Sequence, residues 1–316
     1  MIDDFIPWVV ERKLNLVQVQ TTSVCNATCI MCPYGKSWYK NNPGYMNDKL
    51  YTKILNDIAE YDPEFSGKFC PYLCNEPFAD KNIIKRTQLA YDILKNPYIE
   101  FSSNMELLNH NKIDELYNMF ENNKFYGKFT ISHHGIDKES FEHTMKIDYD
   151  KSYDNMIYLL KKFQGKMKVT IQDMAYSLDA KYQINKYRQV KRYIENILDD
   201  NGIDRQKLLY EPKVFHNRAG NVDIEGWDYN RIIRKIDKNN PFNCLRIQGC
   251  LHIIYTGECI GCCMDYFRET ILGDLNKISI KEFYKSQKWK DWVDMVRGDK
   301  DSPDDFICKR CMSPGG

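Results

Sequence analysis

The sequence predicts an α/β fold built on a parallel sheet, followed by a smaller cysteine-rich unit. Two observations predict it. Strand-like and helix-like patterns alternate from residue 14 to residue 215, and such alternation places crossover helices between parallel strands. Beyond that, seven cysteines crowd into residues 244–311. A chain of 316 residues has room for one large domain and a small one.

LNLVQVQ (14–20) alternates as a strand and runs into the loop SVCNATCIMCPYG. NDKLYTKILNDIAEY (47–61) reads as a helix, with Leu50, Ile54 and Ile58 four residues apart. GKFCPYLC (67–74) and PYIEFSS (97–103) read as the second and third strands. Ile113, Leu116, Tyr117 and Phe120 share one face of a helix over 113–120. GKFTIS (127–132), MKVTI (167–171) and KLLYEPKVF (207–215) supply three more strands, and Ile184, Val190, Ile194 and Ile197 mark a long helix before the last of them. Pattern alone does not separate an open sheet from a barrel. Residues 216–243 read as a linker with one helix, dividing a core (1–215) from a carboxyl-terminal unit (244–316). In that unit LHIIYTGE reads as a strand with a turn at Thr256-Gly257, and KISIKEFYKSQKWKDWVDMVRG as a helix.

The formal net charge is +1, from 45 basic and 44 acidic residues. That balance argues against a nucleic-acid protein working by phosphate neutralisation. The most basic stretch, 181–193, has helical periodicity and reads as a solvated helix face. No apolar run is long enough to span a bilayer, and the start, MIDDFIPWVVERK, has no signal-type segment. Twelve cysteines without such a segment suggest metal ligation in a reducing, cytoplasmic setting.

Cys25, Cys29 and Cys32 are spaced C-x3-C-x2-C. A four-iron cluster held by three thiolates keeps one iron open for a small molecule, whereas four thiolates suit electron transfer. A zinc site would need a distant fourth ligand. The motif resembles that of the radical S-adenosylmethionine (SAM) superfamily. That resemblance implies a partial (β/α)6 TIM-like barrel, with the three cysteines at its mouth. It also implies a SAM chelated by the free iron and cleaved reductively to a 5′-deoxyadenosyl radical. Ligands in such folds meet the carboxyl ends of the strands. Carried onto this chain, the resemblance puts Glu76, in CNEPFAD, at the SAM amino group, although Asn75 stands where the family usually has glycine. It puts Ser102 and Asn104, in FSSNMELL, near the methionine or ribose, adds Ser132 at the end of strand four, and sets Met31 against adenine. The resemblance also implies that Arg218, in HNRAGN, would meet SAM or substrate. His133 and His134 reach the cavity as candidate bases or as structural residues.

The carboxyl-terminal cysteines resemble the SPASM/twitch extension, which carries auxiliary iron–sulfur clusters. The one-cluster pattern carries over to Cys244, Cys262, Cys308 and Cys311, with Cys263 competing with Cys262. Four cysteines also suit structural zinc, so a non-catalytic metal-bound scaffold stays open at this point. The implied cofactors are SAM and two 4Fe-4S clusters, charged by an external one-electron reductant such as flavodoxin or ferredoxin. The implied outcome is oxidation of a small polar substrate of sugar or aminocyclitol type. The alternative is epimerisation of a sugar or peptide, with Cys250 or Cys74 returning a hydrogen atom.

Overall fold

The computed structural model describes residues 13–95, 97–123, 126–176, 180–214, 217–222 and 233–311. Nine strands follow in chain order: β1 (Leu16–Val19), β2 (Lys68–Cys70), β3 (Tyr98–Ser103), β4 (Gly127–Ser132), β5 (Lys168–Tyr176), β6 (Leu208–Val214), β7 (Cys250–Ile253), β8 (Glu258–Ile260) and β9 (Ile271–Asp274). They make one sheet in the order β6-β5-β4-β3-β2-β1-β7-β8-β9. β1 to β6 run parallel and in sequence. The sheet does not close: β6 and β9 are its edges.

The helices are α1 (Trp38–Asn41), α2 (Asp48–Tyr61), α3 (Ile83–Leu94), α4 (His110–Asn123), α5 (Lys138–Met145), α6 (Tyr149–Phe163), α7 (Ala180–Asp200), α8 (Ile280–Lys285) and α9 (Gln287–Arg297). The sequence pattern had not marked α3, α5 and α6. Polar residues break their apolar spacing: Arg86 and Thr87 are buried on α3, and Ser152 and Asn155 on α6. Only Phe141 and Met145 are buried on α5.

Period-two alternation gives the sheet two different faces. On one, Phe69, Ile99, Phe101, Phe129, Val169 and Ile171 are at most 2% exposed. They share a core with Ile54 and Ile58 of α2, Leu116 of α4, Leu159 and Phe163 of α6, and Ile194 of α7. Burying each such side chain contributes about 1.5–3 kcal/mol. The other face is polar. Gln18 registers with Cys70 and His252, Ser102 with Thr130, and Ser132 with Gln172.

Three differences from the sequence reading affect the site. β2 is short, because Pro71 follows it and has no N–H for the ladder. The carboxyl-terminal strand does not stand apart: β7 pairs in parallel with β1, Leu16 opposite Cys250 and Val19 opposite Ile253, and β8 and β9 continue the sheet antiparallel. The last helix is two helices, because Ser286 turns extended and its hydroxyl accepts from Trp289 N as the cap of α9. The turn at Thr256-Gly257 is present, with Gly257 at φ 91°. Of the linker, 216 and 223–232 lie outside the described residues, as do 1–12 at the start.

Arg86 fixes the mouth of the sheet. Its guanidinium donates to Thr21 O (3.2 Å) beyond β1, Met46 O (2.5 Å), Asp48 (2.6 Å) and Asp80 (2.9 Å). The loop after β1, the start of α2 and the turn after β2 are thereby joined through one buried cation.

Candidate active site

The segments leaving the carboxyl ends of β1 to β6 surround a cavity of about 290 Å³. Cys25, Cys29, Cys32 and Met31 line it from the loop after β1, and Glu76 from the loop after β2. Ser102 and Asn104 line it at β3, Ser132 at β4, and Arg218 past β6. Residues far apart in sequence are therefore gathered at one place because parallel strands all end on the same side.

The cysteine loop is held by its own hydrogen bonds and by neighbours. Cys25 N donates to Tyr34 Oη at 2.8 Å, and Cys32 N to Cys29 O at 3.0 Å. Ile30 N reaches Thr144 O at 3.0 Å, tying the loop to α5. Burial pushes the Cys25 thiol well up, with Glu76 adding to the effect, and lifts Cys29 to about 12 through burial and Cys32. These are inert thiols until a metal takes their protons. Among the described residues, no three His, Cys, Asp or Glu side chains converge as the ligands of a single ion do. An iron–sulfur cube instead takes each thiolate at a separate corner, and the donor set here is three cysteines.

Glu76 is 3% exposed. It accepts from Ser103 Oγ (2.8 Å), Asn104 N (2.9 Å) and Phe78 N (3.2 Å), all neutral donors. Burial lifts its carboxyl to about 7, against those hydrogen bonds. Its hydrogen-bond donors are neutral and the Lys112 ammonium acts on it only through space, so the buried carboxylate on the cavity wall suits a ligand ammonium group.

Neither candidate hydrogen donor is among the lining residues. Cys250 opens β7 opposite Leu16, at the amino end of the strands and away from the mouth. Cys74 is packed in an apolar cluster with Tyr34, Tyr39 and Tyr266, its Sγ 3.7 Å from Cys263 O. The spare cysteine on the cavity wall is Cys263, which sequence reasoning weighed only as an alternative metal ligand. Arg246 Nε lies 2.8 Å from its Sγ. Sequence reasoning also missed Gln18, Gln172, Tyr72 and Tyr266 on this wall. Gln18 and Gln172 were legible in principle, since period-two alternation puts them on the face opposite Val17 and Ile171.

The auxiliary cysteines form a second group. Cys308 and Cys311 are buried in the core, with Cys244 and Cys262 packed against it. Burial, then Cys244 and Cys311, raises the Cys308 thiol. Arg246 lies within electrostatic reach of Cys244, Cys262 and Cys263, and Arg234 donates to Cys311 O at 3.2 Å. Thiolates gathered beside arginines are a fitting donor set for an anionic cluster.

Residues 244–312 match the SPASM iron–sulfur cluster-binding domain. The chain is 18% identical over 304 residues to an S-adenosyl-L-methionine-dependent 2-deoxy-scyllo-inosamine dehydrogenase of Niallia circulans, covering 95% of this chain and 94% of that one. Its fold is similar to that of BtrN in complex with AdoMet and 2-DOIA, with a TM-score of 0.60, 16% identity, and 96% and 95% of the two chains covered. It is also similar to anSMEcpe with bound AdoMet, with a TM-score of 0.58, 15% identity, and 89% and 83% covered. With its C-x3-C-x2-C loop at the mouth of an open β/α sheet and the matched domain behind it, the chain is a radical SAM enzyme with a C-terminal SPASM domain.

Proposed function

We propose that this enzyme oxidises a carbinol carbon of a small polar substrate of aminocyclitol type. The observation that carries the reading is the single cavity shared by the cysteine triad, Glu76, Ser102, Asn104, Ser132, Met31 and Arg218. In this reading Cys25, Cys29 and Cys32 hold the SAM-binding cluster. Glu76 takes the SAM ammonium, aided by Ser103 and Asn104. Ser102, Ser132, Met31 and Arg218 flank the rest of SAM. Cys244, Cys262, Cys308 and Cys311 hold the auxiliary cluster. The bound groups would supply hydrogen-atom abstraction from carbon and a one-electron sink. The chain's own residues orient the substrate and exclude water. Gln18, Gln172 and Tyr72 give the wall hydrogen-bonding groups suited to a polyhydroxy ligand. The dehydrogenase from Niallia circulans, matched over almost its full length, supports the aminocyclitol class.

The division into a core (1–215), linker (216–243) and cluster domain (244–316) is retained as a functional one. An external flavodoxin- or ferredoxin-type carrier supplies the reducing electron. No helix among the described residues is long and apolar enough to cross a membrane. None of the twelve cysteines, all among the described residues, is in a disulfide, which supports the cytoplasmic setting we propose.

One observation favours a second reading, epimerisation: Cys263 presents a thiol on the cavity wall. Anaerobic reconstitution, reduction and incubation with SAM and 2-deoxy-scyllo-inosamine tests both. Oxidation yields 5′-deoxyadenosine and a product two hydrogens lighter. Epimerisation yields a product of unchanged mass that acquires deuterium from heavy water. Absence of 5′-deoxyadenosine under strong reduction overturns both.

A further inference from the structure

We propose that the indole N–H of Trp292 donates a hydrogen bond to a sulfur of the auxiliary iron–sulfur cluster and thereby raises its reduction potential. The inference rests on the reading that Cys244, Cys262, Cys308 and Cys311 hold that cluster, and it adds a residue that tunes it.

Helix α9 touches each of the three segments that carry those cysteines. Val296 O accepts from Phe242 N at 3.3 Å, two residues before Cys244. Trp292, one turn earlier on the same face, meets the other two. Its ring centre lies 5.0 Å from that of Phe306, two residues before Cys308. It also meets Gly261, immediately before Cys262: a Cβ there would come within 2.5 Å of indole Cε2 and 2.6 Å of Cζ2. Cε2 is the ring carbon bonded to Nε1, so the nitrogen-bearing edge of the ring lies against the backbone that leads into Cys262. Glycine admits that approach because it has no side chain. The backbone there is pinned, since Gly261 N donates to Thr270 O and to Thr270 Oγ1, both at 3.0 Å.

Trp292 is 3% exposed, and its Nε1 has no hydrogen-bond partner among the described residues. Buried donors are ordinarily satisfied, so an orphaned one beside a ligand cysteine points to an acceptor that the chain itself does not supply. Three neighbouring donors are engaged. Met264 N lies 3.4 Å from Cys262 Sγ, Arg246 Nε 2.8 Å from Cys263 Sγ, and Arg234 Nη2 3.2 Å from Cys311 O. An indole nitrogen only donates, which suits an anionic thiolate or sulfide sulfur.

One-electron reduction adds a negative charge to such a cluster. An N–H aimed at sulfur stabilises that charge, so it favours the reduced state and makes the site a better acceptor for the electron released by the substrate. Phenylalanine in place of Trp292 keeps an aromatic ring against Phe306 and removes the donor. Trp289 is the matched control: it lies on the same helix and packs against Phe283 and Tyr284, at 5.3 and 5.1 Å between ring centres.

Two measurements on the anaerobic, cluster-bearing protein test this. The first is a redox titration followed by electron paramagnetic resonance, in which the auxiliary signal is the one whose line shape added SAM leaves unchanged. Trp292→Phe should keep the iron content of wild type and make the auxiliary cluster about tenfold harder to reduce, a midpoint about 59 mV more negative for one electron. Trp289→Phe should leave that midpoint unchanged. The second uses protein labelled isotopically at the tryptophan indole nitrogens. Wild type should show a nitrogen hyperfine coupling to the reduced auxiliary cluster, which Trp289→Phe keeps and Trp292→Phe lacks. A midpoint unchanged in Trp292→Phe, an equal fall in Trp289→Phe, or no such coupling in wild type overturns the inference. Because the coupling is read in wild type and in Trp289→Phe, it decides the matter even if Trp292→Phe does not fold. If wild type binds about four irons per chain, with zinc at the second site, the auxiliary-cluster reading fails and the inference with it.

Discussion

Replacing Glu76 with glutamine should stabilise the SAM-free protein as pH rises and remove its response to SAM. The reasoning begins with burial, which lifts the carboxyl from 4.5 to about 7 despite three hydrogen bonds. A carboxyl whose pKa rises on folding binds its proton more tightly in the folded state. Its contribution is therefore fully present below about pH 4.5 and is lost as pH climbs through 7. The shift corresponds to about 3 kcal/mol, an upper estimate at 1.36 kcal/mol per unit. Glutamine stays neutral throughout and escapes this loss. Its amide nitrogen replaces one acceptor oxygen, facing either Asn104 N or Ser103 Oγ and Phe78 N, which costs roughly 1 kcal/mol at every pH. The offset is constant, so the test is the slope. Thermal midpoints of the anaerobic, cluster-bearing proteins without SAM should draw apart by about 5 °C between pH 5 and pH 8, the variant gaining on wild type. SAM at about a hundred times its Kd should add roughly 2.7 kcal/mol to wild type and far less to the variant. A gap between midpoints that does not change with pH would refute the burial argument. Equal SAM stabilisation of both proteins would refute the assignment of the ammonium to Glu76.

Three further outcomes are expected. Cys262→Ser should lower iron from about eight to about four per chain, while Cys263→Ser keeps all eight, by iron and sulfide counting; the opposite result would exchange their roles. Arg86→Met strands Asp80 without its buried cation and should cost about 3–5 kcal/mol, read as a lower midpoint in thermal unfolding. Gly261→Ala puts a Cβ 2.5 Å from the Trp292 ring, so the segment carrying Cys262 must shift; a loss of about 1–3 kcal/mol and weaker retention of auxiliary iron should follow.

The cysteine loop and the six parallel strands were legible because their signals are local. A C-x3-C-x2-C spacing needs no partner to be read, and LNLVQVQ or GKFTIS states its own alternation. Helices α3 and α6 were not legible, because their buried faces include Arg86, Thr87, Ser152 and Asn155, which are partnered or packed only in the folded chain. The cavity residues carried over from the family motif converge because all sit at or beyond the carboxyl ends of the parallel strands. Cys250 did not, since its place is fixed by pairing with Leu16, and nothing in the segment around it announces which strand it will join.

That pairing is the least legible step and the one on which the chemistry depends. β1 launches the cysteine triad, and β8 launches Cys262 and Cys263. β7 docks between them in parallel with β1, and β8 runs antiparallel to it, so the two segments leave opposite ends of their strands; they meet nonetheless, although more than two hundred residues separate them. The contact is direct: Trp38 N donates to Tyr266 O at 3.0 Å, Tyr39 Oη to Asp265 O at 3.0 Å, and Cys74 Sγ lies 3.7 Å from Cys263 O. Had the carboxyl-terminal unit folded as a separate knuckle on a linker, its cysteines would have no fixed relation to the cavity. Because its strands extend the core sheet, any change that loosens the β1–β7 pairing should impair the coupling between the two cysteine sites before it impairs either site alone.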